Sequence, residues 1–90
     1  MKVVWDDEAL DDLDAIGEFI SRDNSVAARR VVERIRDTSR LLETSPRLGK
    51  PIDERTRELI LRRYPYVLVY EIAQGEVRIL AVFHHAQNRS

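Results

Sequence analysis

The chain has no cysteine among its 90 residues, and it has only three glycines and three prolines. The absence of cysteine excludes a disulfide framework, a thiolate zinc site and a cysteine nucleophile. No apolar run approaches the roughly 20 residues that a membrane helix needs, and the stretch after Met1 meets Asp6 before a signal peptide could form. We therefore expect a cytoplasmic protein that has no membrane partner.

The composition, with 43% hydrophobic and 34% charged residues, suits one small globular domain, which we assign to residues 1–90. A domain of this size leaves room only for a surface site or a shallow groove. The net charge of −1 combines an acidic segment, residues 1–24, with a basic remainder. A general nucleic-acid binder usually carries a basic excess over the whole domain, so we expect no direct sequence-specific DNA binding.

The first half of the chain has the periodicity of helices. Apolar residues recur at spacings of three and four over residues 7–21, which predicts an amphipathic helix with Leu10 on its core-facing side. A similar pattern predicts a second helix over residues 26–44, which Ser45-Pro46 ends because the residue before proline is disfavoured in a helix. The connection between the two is short, so they should pack as an antiparallel hairpin.

The rest of the chain has the character of strands, rich in β-branched and aromatic residues. With the first residues included, four strands are predicted: 2–5, 57–63, 66–72 and 77–84. The last of these is apolar on both faces, which is typical of a strand in the middle of a sheet. The predicted order is β-α-α-β-β-β, an α+β fold in which an N-terminal helical hairpin packs on a mainly antiparallel twisted sheet.

Four carboxylates share one face of the first predicted helix: Asp7, Asp11, Asp14 and Glu18. Such a row could bind a divalent cation or a basic partner. The pattern favours a solvated face instead, because no histidine or second acidic cluster converges on it. We expect neither a metal nor a cofactor.

Three arginines, Arg57, Arg62 and Arg63, bracket the otherwise apolar predicted strand 57–63. Guanidinium groups on a sheet can hold a phosphate through two parallel hydrogen bonds, and they can equally hold the acidic tail of a protein partner. Both interpretations stay open at this point.

The chain ends in a second group of polar residues that includes His84, His85 and Arg89. A histidine at the end of a strand could act as a general acid or base. Adjacent histidines on a strand point to opposite faces, so this pair cannot chelate one metal well. A structural histidine is as compatible with the pattern as a catalytic one.

Several segments carry a family resemblance over nearly the whole chain. The most specific are the following: Arg57-Glu58-Leu59, Tyr66-Val67-Leu68-Val69-Tyr70-Glu71-Ile72 and Val77-Arg78-Ile79-Leu80-Ala81-Val82-Phe83-His84. Trp5 before the acidic helix and the loop Leu48-Gly49-Lys50-Pro51 also fit. In their order and spacing, these segments resemble the RelE/ParE superfamily of toxins from type II toxin–antitoxin modules.

The resemblance implies a bacterial growth inhibitor, encoded by a plasmid-stabilisation type of module, that forms a hetero-oligomer with a cognate, ParD-like antitoxin. RelE-like members cut mRNA on the ribosome, whereas ParE-like members poison DNA gyrase and have no known nuclease site. Ribonuclease members carry an arginine after the first tyrosine of the central strand, but here Val67 follows Tyr66. His84 stands near the family's C-terminal basic position, yet no tyrosine follows it. These departures favour a ParE-like gyrase inhibitor.

The expected site residues depend on which branch of the family applies. A ParE-like inhibitor needs no catalytic residue. A RelE-like nuclease would use His84 as acid or base and Arg57 and Arg62 on the scissile phosphate, and a degenerate toxin would only bind its antitoxin. For contacts with the antitoxin or the target, the expected residues are Arg57, Arg62, Arg63, Tyr70, His84 and Arg89.

Overall fold

The computed structural model describes residues 1–87, and Arg89 lies outside the described residues. The elements are β1 (Lys2–Trp5), α1 (Asp7–Ser21), α2 (Ser25–Arg40), β2 (Lys50–Pro51), β3 (Thr56–Ile60), β4 (Tyr66–Ala73) and β5 (Glu76–His84). Short 3₁₀ turns follow α2 at Leu41–Glu43 and β5 at His85–Gln87. The predicted α+β fold with an N-terminal helical hairpin is confirmed.

Within residues 1–87 the strands form one five-stranded sheet in the order β1-β5-β4-β3-β2. β1 runs parallel to β5, and the other neighbouring pairs are antiparallel. The position of β5 inside the sheet confirms the expectation drawn from its apolar character. α1 packs on α2 and on β5, which places the helical hairpin on one face of the sheet.

The buried face of α2 is the one that its sequence predicts, and it includes Val31 and Ile35. α1 differs from the prediction, because Leu10 is 38% exposed whereas Ala9 is fully buried. Residues 9, 13, 16 and 20 share a helical face as well as residues 10, 13, 17 and 20 do, so the periodicity allows both rotations of α1.

A β-bulge in β5 changes the direction of the side chains along that strand. Leu80 is the extra residue, because Val69 and Tyr70 of β4 pair with the residues on either side of it. Such an insertion shifts the alternation of side chains by one position. Ile79 and Val82, three residues apart, are therefore both buried in the same core.

The hairpin between β4 and β5 turns through Gln74 and Gly75, which have φ angles of 55° and 78°. Positive φ at both central residues is what a type I′ turn requires, and this turn matches the twist of the strands. Gly75 lies between the predicted strands 66–72 and 77–84 and can take a positive φ, which predicts a turn over residues 73–76. The structure confirms this turn.

Two predicted boundaries are wrong. The second helix ends at Arg40 and continues only as a 3₁₀ turn, short of residue 44. The strand predicted over 57–63 ends at Ile60, so Arg62 and Arg63 lie in the loop before β4. Arg63 has a φ of 76°, a conformation that interrupts a strand. The two-residue strand β2 has no counterpart in the prediction.

Asn24 caps α2, because its Oδ1 accepts a hydrogen bond of 3.0 Å from the backbone N–H of Ala27. We expect Asn24→Ala to lower the free energy of unfolding by about 1 kcal/mol, since one N-terminal amide of the helix loses its acceptor. Thermal unfolding followed by circular dichroism should show a midpoint lower by roughly 4–8 °C. The exposed neighbour Asp23 provides the control, and an equal loss in Asp23→Ala would contradict the assignment of the cap.

Candidate functional site

Arg57 and Tyr70 are cross-strand neighbours, since Arg57 of β3 pairs with Tyr70 of β4. Both side chains reach the loop of residues 46–49, which connects the 3₁₀ turn after α2 to β2. We call this pair the loop latch. Together they hold a loop that otherwise contains no regular structure.

Tyr70 is fully buried, and its hydroxyl makes two hydrogen bonds to the 46–49 loop. It accepts from the backbone N–H of Gly49 at 2.8 Å and donates to the carbonyl oxygen of Pro46 at 2.8 Å. In this structure the side chain is inaccessible to a partner, although the sequence places it among the binding residues. Its observed contacts are those of a residue that fixes the loop.

Arg57 makes the second half of the loop latch. Its Nη1 donates to the carbonyl oxygen of Gly49 at 2.7 Å and to that of Arg47 at 3.3 Å. The guanidinium is partly buried in these contacts. The sequence predicts a role for Arg57 on a phosphate or on an acidic partner, whereas the geometry directs it to backbone carbonyls of its own chain.

Gly49 lies where the two side chains of the loop latch meet. A Cβ atom at this position would lie 2.7 Å from the carbonyl oxygen of Glu58 and 2.8 Å from the hydroxyl and Cε1 of Tyr70. These contacts are too short for any side chain, so only glycine allows the loop to approach the sheet this closely.

An apolar groove of about 360 Å³ opens between α2 and β3. Its apolar lining consists of Leu41, Leu48, Leu59, Ile60 and Leu61. Leu41, Leu48 and Ile60 are each about half exposed, at 54%, 50% and 49%. We call this feature the α2–β3 groove. Leu48 stands on the 46–49 loop, so the loop that Arg57 and Tyr70 hold forms part of the groove wall.

Two arginines also line the α2–β3 groove, Arg34 from α2 and Arg62 from the loop after β3. The guanidinium carbon of Arg34 lies 5.7 Å from the centre of the Tyr64 ring, a cation–π geometry that ties α2 to this loop. Asp37 and Thr38 are the remaining polar residues of the lining. Of the predicted binding residues, the structure thus places Arg62 in a groove and leaves Arg63 exposed beside it.

His84 belongs to a different region, a cavity of about 600 Å³ between α1 and the end of β5. The His84 ring packs edge-on against Tyr66, with centroids 5.4 Å apart. Its Nδ1 accepts a hydrogen bond of 3.0 Å from the backbone N–H of Ala86. Burial raises the pKa of Tyr66 above that of a free tyrosine.

The structure does not bring the three residues of the nuclease hypothesis together. Arg57 is paired with Tyr70, and His84 is paired with Tyr66, four residues further back along β4. At a rise of about 3.3 Å per residue, this separates the two registers by about 13 Å along the strand. β4 itself lies between β3 and β5. Arg62 lines the α2–β3 groove, whereas His84 lines the cavity beside α1, so these two residues open onto different surfaces.

An ion-pair cluster that sequence reasoning missed surrounds Arg78 of β5. Its guanidinium lies 3.0 Å from the carboxylate of Asp6 and 3.2 Å from that of Glu76, with Glu71 at 4.0 Å. The hydrogen bond to Asp6 raises the pKa of Arg78 above its usual value. Asp6 makes no side-chain cap to α1, so its carboxylate serves this cluster instead. The register of β1 on β5 brings the pair together, which local sequence does not reveal.

Asp12 of α1 also has a role that the sequence pattern does not show. Its Oδ2 accepts a hydrogen bond of 3.0 Å from the backbone N–H of Val82. β1 pairs with β5 only as far as Ile79, so this carboxylate satisfies a strand-edge donor beyond the end of β1. The contact fixes α1 against the second half of β5.

The acidic face of α1 does not form a metal centre. Among residues 1–87, histidine and carboxylate side chains form no group of three or more that could hold a metal ion. In the same part of the chain, no helix has the length and apolar character that crossing a bilayer demands.

Comparison with known families gives a match over almost the whole chain. Residues 3–89 match the family model described as the ParE toxin of the type II toxin–antitoxin system parDE. The proposed toxin Y4kP of Sinorhizobium fredii is 40% identical over 87 residues, which cover 96% of this chain and 90% of that protein. The toxin RelE2 of Caulobacter vibrioides is 35% identical over 86 residues, 96% of this chain and 97% of that protein.

Solved structures share the fold. A chain from the chromosomal ParDE toxin–antitoxin system of P. aeruginosa aligns with a TM-score of 0.82 at 24% identity, covering 93% of this chain and 95% of that one. The isolated E. coli RelE toxin aligns with a TM-score of 0.68 at 21% identity, covering 99% of this chain and 86% of that one. At these identities the likeness shows a common architecture of two helices on a mixed five-stranded sheet.

Proposed function

The chain belongs to the ParE toxin family of type II toxin–antitoxin systems, and from this membership we propose that it inhibits growth by binding DNA gyrase in the cytoplasm and is neutralised by a cognate, ParD-like antitoxin. The observation that carries the proposal is the separation of Arg57, Arg62 and His84. A nuclease must activate the 2′-hydroxyl, stabilise the phosphorane and protonate the leaving oxygen at one scissile phosphate. His84 lies far from Arg57 and lines a different pocket from Arg62, so the three residues do not supply this combination.

The central strand supports the same branch of the family. Val67, at the position where the ribonuclease members carry an arginine, is 1% exposed. Its side chain therefore has a packing role and offers no charge to a phosphate. Arg57 is already engaged with the carbonyl oxygens of the 46–49 loop. In this proposal the protein inhibits gyrase by binding to it and has no catalytic residue.

The α2–β3 groove is the surface that we assign to the antitoxin. Its half-exposed apolar side chains offer the area that an amphipathic partner segment needs to bury. β2 pairs with β3 only at Arg57 and Glu58, so the outer edge of β3 is uncovered where Leu59 and Ile60 line the groove. Arg34 and Arg62 outnumber the single carboxylate of the lining, Asp37. This carboxylate is already paired with Arg40, so the lining suits a partner segment carrying acidic side chains.

A gyrase assay tests the proposal directly. We expect the purified protein at micromolar concentration to inhibit supercoiling by DNA gyrase and to leave ribosome-bound mRNA intact. His84→Ala should still inhibit gyrase, with a change only in the concentration that half-inhibits supercoiling, because in this proposal His84 performs no chemistry. The adjacent and more exposed His85 gives a matched control, His85→Ala.

The opposite result would establish a different function for this protein. Cleavage of ribosome-bound mRNA that is lost in His84→Ala but kept in His85→Ala, together with unaffected gyrase, would establish the RelE-like alternative. If neither target is affected and cells expressing the protein without antitoxin grow normally, the chain is a degenerate toxin that only binds its partner. Both results would overturn gyrase inhibition, and only the first would make His84 a catalytic residue.

A further inference from the structure

The 46–49 loop has no regular structure, but four hydrogen bonds from or to side chains of the sheet hold its backbone. Three of its carbonyl oxygens, those of Pro46, Arg47 and Gly49, accept hydrogen bonds from side chains of the sheet. In a fourth hydrogen bond, the backbone N–H of Gly49 donates to the hydroxyl of Tyr70. A loop held at four backbone groups by buried or partly buried side chains has little freedom to move.

The fixed loop carries one exposed apolar side chain, Leu48, which lies between the two carbonyl groups that Arg57 binds. Leu48 is 50% exposed and lines the α2–β3 groove with Leu41 and Ile60. The groove therefore has two walls on regular elements and a third whose position depends on the loop. Arg57 and Tyr70 hold this third wall through their hydrogen bonds to the loop.

We propose that Arg57 is a positioning residue, which holds Leu48 in the α2–β3 groove so that the groove is formed before a partner arrives. This inference rests on the proposed binding of the antitoxin in that groove. Arg57 itself contacts neither a phosphate nor the partner; it acts through the 46–49 loop. A preformed groove binds its partner more tightly, because the ordering of the loop does not have to be supplied on binding.

The choice of arginine over lysine gives the inference a sharp test. A guanidinium presents several N–H groups in a fixed plane and can satisfy two carbonyl oxygens at once, whereas an ammonium on a flexible stem is a point charge. A lysine at position 57 would keep the charge that an acidic partner recognises but would not hold the loop as arginine does. Arg57→Lys and Arg57→Met should therefore behave alike.

The first arm of the test uses the toxin alone. In Arg57→Lys and in Arg57→Met, we expect hydrogen exchange of the Gly49 amide to become at least tenfold faster and the methyl order parameter of Leu48 to fall. Arg55→Met, an exposed arginine of the adjacent turn, is the matched control and should change neither. Unchanged exchange and order in both Arg57 variants would overturn the inference.

The second arm uses the protein encoded by the reading frame adjacent to this one as the binding probe. Both Arg57 variants should bind it about tenfold more weakly, with the same slope of affinity against salt as the native chain. Leu48→Ala should weaken binding about tenfold in the native background and less than twofold in Arg57→Met, because Leu48 is already displaced there. A purely structural role would lower the unfolding midpoint without this coupling.

Different outcomes test the positioning role of Arg57 and the binding of the antitoxin in the α2–β3 groove. If Arg57→Lys binds like the native chain while Arg57→Met binds weakly and with a reduced salt slope, Arg57 contacts an acidic group of the partner and the inference is wrong. If the native chain does not bind the probe at all, antitoxin recognition fails as a proposal. The toxin-alone arm then still decides whether Arg57 positions Leu48.

Discussion

Replacing Gly49 with alanine is expected to lower the free energy of unfolding by about 2–3 kcal/mol and to release the 46–49 loop. The added methyl group would lie 2.7 Å from the carbonyl oxygen of Glu58 and 2.8 Å from the Tyr70 hydroxyl. Glu58 belongs to the paired backbone of β3, and Tyr70 is fully buried, so neither can give way. The loop must therefore move outward, and it loses its bonds to the loop latch. Urea unfolding followed by circular dichroism measures the loss.

Gly17→Ala is the matched control for this experiment. A Cβ atom at Gly17 would lie 3.1 Å from Cγ2 of Val32, a side-chain atom that is only partly buried and can shift. Alanine also favours the helix by about 1 kcal/mol relative to glycine. We expect the two effects in Gly17→Ala nearly to cancel. If Gly49→Ala proves as mild as Gly17→Ala, the close approach of the loop to the sheet is not required for folding.

The elements that sequence predicts well are those whose signal is local. The buried face of α2 follows from the regular spacing of Val31 and Ile35, and the turn before β5 follows from Gly75. The rotation of α1 was not determined by its sequence, because Ala9 and Leu10 begin equally good apolar faces. Packing against both α2 and β5 selects Ala9, so the choice depends in part on a strand almost 70 residues away.

The elements that the sequence predicts wrongly, or not at all, are those whose backbone is determined by tertiary contacts. The apolar pattern of residues 57–63 continues past Ile60, but the positive φ of Arg63 and the return of the chain into β4 end the strand there. β2 forms because Lys50 and Pro51 are brought beside β3, and the loop latch lies directly beside this contact. No local propensity predicts a two-residue strand.

The candidate site shows the same division. Charge and position in the sequence indicate that Arg57 and Arg62 are unusual, and the order of the motifs indicates the family. What each arginine does depends on what lies within reach: Arg57 meets carbonyl oxygens of its own loop, whereas Arg62 lines a groove. The sequence alone leads us to expect Tyr70 among the binding residues. In the structure, its burial and its two hydrogen bonds to the 46–49 loop give it a structural role.

The α2–β3 groove leads to the prediction with the largest expected effect on binding. Truncating Leu41 and Leu48 together to alanine should weaken binding of the proposed antitoxin by about 50- to 100-fold. Each leucine is about half exposed in the free toxin, so the partner can bury only the remaining half. Half of the free energy of burying a leucine is about 0.75–1.5 kcal/mol, which is about four- to twelvefold in the dissociation constant for each residue. Calorimetric titration with the protein of the adjacent reading frame measures the change.

Val26→Ala is the control, because Val26 is 63% exposed but lies on the first turn of α2 and lines neither the groove nor the β5 cavity. Val26→Ala removes apolar surface of a similar kind, which makes it a matched control. Because Val26 lies outside the α2–β3 groove, this variant should bind the antitoxin within about twofold of the native chain. The double variant should also lose about 1.5–3 kcal/mol of unfolding free energy, because the buried half of each leucine is removed. The titration is therefore run where circular dichroism shows that the double variant is folded. Equal losses of affinity in Val26→Ala and in the double variant would place the antitoxin elsewhere on the helical hairpin. Native affinity in the double variant would exclude the α2–β3 groove as its binding surface.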